Sequence, residues 1–158
     1  MDDSLRNFLR ESLHIEGIER DPTQDELTAT EQFFDLMAPN VDDVVRLVSV
    51  YAPHARLRAL PNLNVRVGGH VAPAGGPEIP KRLAHILFDL HKSDPWATHC
   101  AYEHLHPFTD GNGRSGRAVW AWQMLGHQSG LPLGFLHQFY YQTLAHHSQE
   151  AADGLATD

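Results

Sequence analysis

An all-α fold, a compact helical bundle broken once by a β-hairpin, is what the sequence predicts. Apolar residues recur at helical spacing on both sides of a gap between about residues 54 and 78, and within that gap LNVRVGGHV alternates around a Gly68-Gly69 turn. The chain is 158 residues long, 42% hydrophobic and 20% charged, the size and make-up of one globular domain able to bury a core by itself.

Leu5, Phe8, Leu9 and Leu13 share one face of a first amphipathic helix, with Ser4 as its N-cap and its end near Gly17. Thr23 and Glu26 form a capping box that opens a second helix, TQDELTATEQFFDLM, running to about Met37 and stopped by Pro39. A third spans about Asp42 to Tyr51 on the spacing of Val41, Val44, Val45 and Val48, and ends before Pro53. The hairpin follows, then the Pro- and Gly-rich loop APAGGPEIP. Helical patterning resumes from Glu78 to about Lys92 and again from Pro95, a first-turn proline, to Leu105. A long helix from about Asn112 to His127 carries Val119, Trp120, Met124 and Leu125, and a last one covers FLHQFYYQTLAHH. The tail after about His147 is small, polar and expected to fray.

A net charge of -8 argues against general binding of nucleic acid or of anionic membranes, which needs clustered Lys and Arg. No apolar run reaches the roughly 20 residues that span a bilayer, and MDDSLRNFLRES is acidic and amphipathic rather than a secretory signal. A cytoplasmic protein is expected. The single cysteine, Cys100, excludes an internal disulfide and reads as a small buried hydrophobe. Twelve histidines raise the question of a metal site, but they are scattered, and in Glu103-His104-Leu105-His106 the two imidazoles face different sides of a helix.

Chemistry concentrates in HPFTDGNGRSGR, His106 to Arg117. Pro107 cannot continue the preceding helix, so His106 is left at a helix end facing a cleft. Thr109 to Gly113 is a short turn leading into a helix whose first N–H groups and positive dipole end face that turn, a ready anion site. Gly111 and Gly113 let backbone approach a phosphate, Asn112 adds a side-chain donor, and Arg114 and Arg117 fall on one helix face. Two guanidinium groups there suit a nucleotide polyphosphate. Asp110 would be repelled by it unless a divalent cation bridged them, so its presence predicts magnesium. His106, the one nearby group titrating around neutrality, completes a set of base, metal ligand and phosphate cradle.

DGNG could open a calcium loop, but Arg114 and Ser115 stand where that loop needs a ligand and a glycine, and no GK[ST] of a phosphate-binding P-loop occurs. A turn with a satisfied histidine and surface arginines accounts for the pieces singly, not for their convergence. HPFTDGNGRSGR resembles the Fic-domain signature HPFx[D/E]GN[G/K]RxxR and matches every fixed position. Upstream, PNLNVRVGGHV lies where a Fic core carries its flap, and FYYQTL looks like the tyrosine-containing helix that commonly follows.

The resemblance implies a Fic-like bundle, with residues 18–147 as its core, that transfers AMP from ATP to a Tyr, Thr or Ser hydroxyl of a target protein. His106 would be the general base and Asp110 the Mg2+ ligand. Gly111, Asn112 and Gly113 would line the α-phosphate hole, Arg114 would contact the β and γ region, and Arg117 would hold the γ-phosphate. The flap, Asn64, Val65, Arg66, Val67, Gly68, Gly69, His70 and Val71, would pin the target by strand addition.

SLHIEG, Ser12 to Gly17, resembles the family's inhibitory motif [S/T]xxxE[G/N], here on an N-terminal helix, residues 1–17, that precedes the core. By that resemblance Ser12, Glu16 and Gly17 are inhibitory, and Glu16 would occupy Arg117 and misalign ATP, with homo-oligomerisation one route to release. Two alternatives come with the family: a transferase of another moiety, such as a phosphotransferase or a deAMPylase, and a silent nucleotide-binding regulatory module. Gly111 and Gly113 oppose the phosphotransferase, whose representatives carry bulkier residues there, and the presence of His106 opposes the silent module.

Overall fold

Residues 3–126 and 131 are described by the structure, a computed structural model. In chain order these are α1 (Asp3–Ile15), α2 (Gln24–Phe34), α3 (Val41–Tyr51), β1 (Arg66–Val67), β2 (His70–Val71), α4 (Glu78–Phe88), α5 (Pro95–Leu105) and α6 (Asn112–Gly126). The all-α bundle with one antiparallel hairpin is therefore the observed architecture. FLHQFYYQTLAHH and the polar tail lie outside the described residues.

Helix α6 takes the middle of the bundle, contacting α1, α2, α3 and α5. Arg114 to Val119 form an unbroken buried run within it, which is why α6 lacks the polar face of a surface helix. Around it Phe8, Leu27, Val44, Leu83, Tyr102, Leu105 and Phe108 form one apolar cluster with Ala118 and Val119. Helix α1 joins this cluster through Leu5, Phe8, Leu9 and Leu13, the face its spacing dictates, and Ile15 is buried too.

Helix ends follow local chemistry. The Thr23–Glu26 capping box forms as read, and Asn40 with Asp43 makes a second one at α3 that the sequence reading passed over. Ser4 lies inside α1 rather than capping it. Helix α1 stops at a Schellman turn, where Ile18 N–H donates to Leu13 O at 3.0 Å and Gly17 N–H to His14 O at 2.9 Å. That turn needs a left-handed residue, and Gly17 supplies it with φ 72°.

Two helices end earlier than their patterns predict. Helix α2 stops at Phe34 rather than Met37, and past its end the carbonyls of Leu36 and Met37 accept from Trp122 Nε1 at 2.9 Å and His91 Nε2 at 3.1 Å. Helix α4 stops at Phe88 rather than near Lys92, and past its end Leu90 O accepts from buried Gln123 Nε2 at 2.7 Å. The hairpin pairs Arg66 with Val71 and Val67 with His70, so its strands are two residues each, shorter than the alternation suggested.

Candidate active site

The motif begins where α5 ends. His106 is the C-cap of α5 in the left-handed conformation, φ 48° and ψ 62°, uncommon for a residue with a Cβ. Its backbone N–H donates to Tyr102 O at 2.9 Å. Its ring Nδ1 lies 3.2 Å from Glu103 O. A carbonyl only accepts, so Nδ1 carries the proton and Nε2 is left bare. Burial holds the imidazole pKa below its ordinary value, aided by the Arg58 and His70 charges against the opposing Glu103 carbonyl. Such a histidine is neutral, and able to accept a proton, at neutral pH.

The loop after it is braced from inside. Asn112 Oδ1 accepts from Phe108 N–H and its Nδ2 donates to Phe108 O, both at 2.8 Å, so this carboxamide fixes the turn and its donor is already spent. Gly111, at φ 75°, sits with its α-carbon against α3, where a Cβ would come 3.3 Å from Ala52 Cβ. Its N–H donates to Asp110 Oδ1 at 2.6 Å, and the Asp110 side chain lies on an exposed residue at the mouth of the turn. Ser115 Oγ closes the first turn of α6, 2.8 Å from Gly111 O and 2.7 Å from the Tyr102 hydroxyl.

Arg114 and Arg117 share a face of α6 but do not converge. Arg114 turns to α3, where Nη1 donates to Tyr51 O and the guanidinium lies 6.0 Å from the Tyr51 ring centre, while its buried Nε makes no hydrogen bond. Arg117, only 1% exposed, turns to α1. Its Nε donates to Ser12 Oγ at 2.9 Å, Nη2 to Ser12 O at 2.9 Å, and Nη2 to Glu16 Oε1 at 2.6 Å. Ser12 and Glu16, four residues apart, lie on one face of the helix end and reach the same guanidinium. A Cβ at Gly113 would collide with Glu16 Oε1 and come 3.0 Å from Arg117 Nη1. The chain's own carboxylate thus sits against the first turn of α6, where the helix dipole favours an anion.

The flap packs against α5 through His70, beside its turn. His70 Nε2 donates to His104 O at 3.0 Å and the two rings stack at 5.4 Å. Asn64 Oδ1 accepts from Gly75 N–H at 2.9 Å, Val65 is half-buried, and Arg66, Val67, Gly68, Gly69 and Val71 are exposed. Among the described residues no cluster of three or more His, Cys, Asp or Glu side chains could hold a metal. A lone carboxylate such as Asp110 suits Mg2+ shared with substrate phosphate oxygens and water, not a cage made of protein alone.

Sequence reasoning missed two groups here. Arg58, fully buried, donates to four backbone carbonyls around the loop and the flap base. Glu103, one turn before His106 on α5, points a buried and unbonded Oε1 at Gly116, where a Cβ would fall 2.5 Å away. Burial, with Glu16 adding to it and Arg117 opposing, pushes its carboxyl up to about 7. Its spacing from His106 was the signal available for Glu103; Arg58 had none, because carbonyl acceptors leave no trace in a sequence. Cys100 is buried as expected, its thiol pushed up to about 11 by burial first and by the Glu103 and Asp94 charges.

The model of the Fic/DOC family matches residues 68–124, which hold the flap turn, α4, α5, the motif loop and nearly all of α6. Over that stretch the chain is similar to the Fic/DOC family. Members of that family are usually transferases. No curated protein matches the chain. No described helix is long and apolar enough to cross a membrane.

Proposed function

We propose that the protein is an autoinhibited protein adenylyltransferase that moves AMP from ATP to a Tyr, Thr or Ser hydroxyl of a target protein. The observation that carries the reading is the Glu16–Arg117 pair at 2.6 Å, set over Gly113 at the start of α6. A carboxylate already placed there marks an anion site, and a terminal phosphate competing for Arg117 must displace it.

In the reaction, the target hydroxyl oxygen bonds to the α-phosphorus as the bond to the bridging oxygen breaks and pyrophosphate leaves. His106 Nε2 takes the hydroxyl proton, its tautomer set by Glu103 O. The backbone N–H groups of Asn112 and Gly113 and the dipole of α6 stabilise charge on the phosphate, which Gly111, without a side chain, lets come close. Asp110 would share Mg2+ with the phosphates, and that ion would supply charge neutralisation. The exposed edge of the hairpin would take the target segment as an added strand.

Relief of inhibition is a local event. Undocking α1 would expose Leu5, Phe8, Leu9, Leu13 and Ile15, at about 1.5–3 kcal/mol each, roughly the whole stability of a domain. Glu16 lies beyond these anchors, its side chain 32% exposed, and it can swing away while α1 stays packed.

The test compares wild type, Glu16→Gly and Glu16→Gly/His106→Ala, incubated in cell lysate with Mg2+ and ATP labelled on the α- or the γ-phosphate. Protein label from α-labelled ATP, strong only in Glu16→Gly and lost with His106, is the expected result. Transfer of γ-label alone would replace the reading with a phosphotransferase, and ATP binding without any label with a silent binding module.

A further inference from the structure

We infer that Arg58 is the positioning residue that holds His106 in its left-handed conformation and ties it to the base of the flap. Arg58 lies before the hairpin, 48 residues from His106, and is 0% exposed. Nε donates to His106 O at 2.6 Å and Nη2 to Leu105 O at 2.8 Å. Nη1 donates to Leu63 O at 3.1 Å and Pro73 O at 2.8 Å, one on each side of the hairpin. One rigid fork therefore joins the last carbonyls of α5 to both ends of the flap segment.

A buried guanidinium with carbonyls for partners is costly unless the local field favours a cation. Here the field does. Leu105 and His106 are the terminal residues of α5, whose C-terminal carbonyls carry the negative end of the helix dipole. The backbone of Arg58 adds to the tie: its N–H donates to Pro107 O at 2.9 Å and its carbonyl accepts from Gly76 N–H at 2.9 Å. Beside it, Leu57 bridges Phe108, and Arg56 N–H donates to Thr109 Oγ1 at 2.9 Å.

His106 is the only described residue other than glycine with positive φ, and such a conformation persists only where surroundings over-determine it. Tyr102 O fixes its N–H, Glu103 O fixes its ring, and Arg58 fixes its carbonyl. Arg58 alone among these also reaches the flap. Its catalytic meaning rests on the proposed transferase reading, with His106 as base and the flap as docking edge. The positioning itself is read without any activity.

The test is a stability cycle of wild type, Arg58→Met, His106→Gly and the double variant, with thermal and urea unfolding. Glycine adopts the left-handed conformation freely and has no strain to release, so loss of Arg58 should cost more beside Gly at position 106, by about fivefold or more in the unfolding constant. Equal cost in both backgrounds overturns the proposal. Arg58→Lys, which keeps charge and stem but cannot span four carbonyls, serves if the Met variant does not fold. On unaltered protein, hydrogen exchange should show the Arg58 Nε proton protected as strongly as the amides of α5; rapid exchange of that proton overturns the tie.

In the Glu16→Gly background, Arg58→Lys should lower kcat by about ten- to a hundredfold with KM for ATP unchanged. A raised KM for ATP at unchanged kcat would overturn the link to the base. Absence of transfer in Glu16→Gly itself would sink the transferase reading, leaving the stability cycle and the exchange result standing.

Discussion

Glu16 Oε1 lies 2.6 Å from Arg117 Nη2 and also fills the space that a Cβ at Gly113 would need. One carboxylate therefore explains two features of the motif, the buried arginine on α6 and the glycine one turn before it. Ser12 holds the same guanidinium by two further bonds, so Arg117 has partners whether or not Glu16 is present.

Removing Glu16 should consequently be cheap. Glu16→Gly is expected to change stability by about 1 kcal/mol or less, the scale of a partly exposed ion pair, because Glu16 is 32% exposed and water can take the donor it leaves. Arg117→Ala should cost about 3 kcal/mol or more, since it strands Ser12 and leaves a void beside α1. Urea unfolding of the two variants checks the ordering; equal losses would mean that Ser12 does not hold Arg117 once Glu16 is gone.

Gly113 reports on the carboxylate packed against it. In the Glu16→Gly background, Gly113→Ala meets Arg117 Nη1 at 3.0 Å but no carboxylate. Helix propensity then favours alanine, and stability should hold or rise by up to about 1 kcal/mol. With Glu16 present, the same methyl forces the carboxylate off Arg117 and stability should fall. Thermal unfolding of Gly113→Ala in both backgrounds reads the difference, and a loss of the same size in both would place Glu16 away from Gly113.

Legibility followed sequence distance. HPFTDGNGRSGR was readable because its groups are contiguous, and the Thr23–Glu26 box because both halves lie in one turn. Ser12 and Glu16 were readable only through the likeness of SLHIEG to an inhibitory motif, and the structure sets both against Arg117. The ends of α2 and α4 were not, and just past them the carbonyls of Leu36, Met37 and Leu90 are held by Trp122, His91 and Gln123 from distant parts of the chain. The position of Arg114 on the helix face was readable, but not the direction of its long side chain, which the tertiary neighbour sets, here Tyr51 O. Arg58 had no pattern to betray it, since its partners are carbonyls that any sequence would supply.

Two buried titrating groups on α5 should oppose each other in the pH dependence of stability. Burial pushes His99 down to about 3, with Arg117 adding to it and the Gly116 backbone opposing. Below about 6.5 the unfolded chain binds this proton and the folded one does not, so His99 makes stability fall with acid by up to about 1.4 kcal/mol per pH unit. Glu103, raised to about 7, has the opposite sign: between about 4.5 and 7 the folded state holds the extra proton, and stability falls as pH rises. Glu103 should therefore offset His99 between about pH 4.5 and 6.5, and Glu103→Gln should lose stability on acidification more steeply than the wild type, the lowered His106 contributing equally in both. A flat profile in that variant would show that His99 takes up its proton in the folded state.

The depressed imidazole of His106 sets where catalysis fails in acid. Burial lowers its pKa below the ordinary 6.5, and Arg58 and His70 act in the same direction. A general base works only when deprotonated, so the Glu16→Gly enzyme should keep full kcat through neutrality and lose it with a midpoint below 6.5. His70→Gln removes one of the charges that depress it, and the midpoint should move up. Glu16 itself raises the His106 pKa, so its removal moves the midpoint further down, and the activated form should be the more acid-tolerant one. The kcat–pH profiles of Glu16→Gly and Glu16→Gly/His70→Gln check both shifts; a midpoint above 6.5 in the former would mean that His106 is more open to water, or more tightly paired with a carboxylate, than its place behind Arg58 and the flap allows.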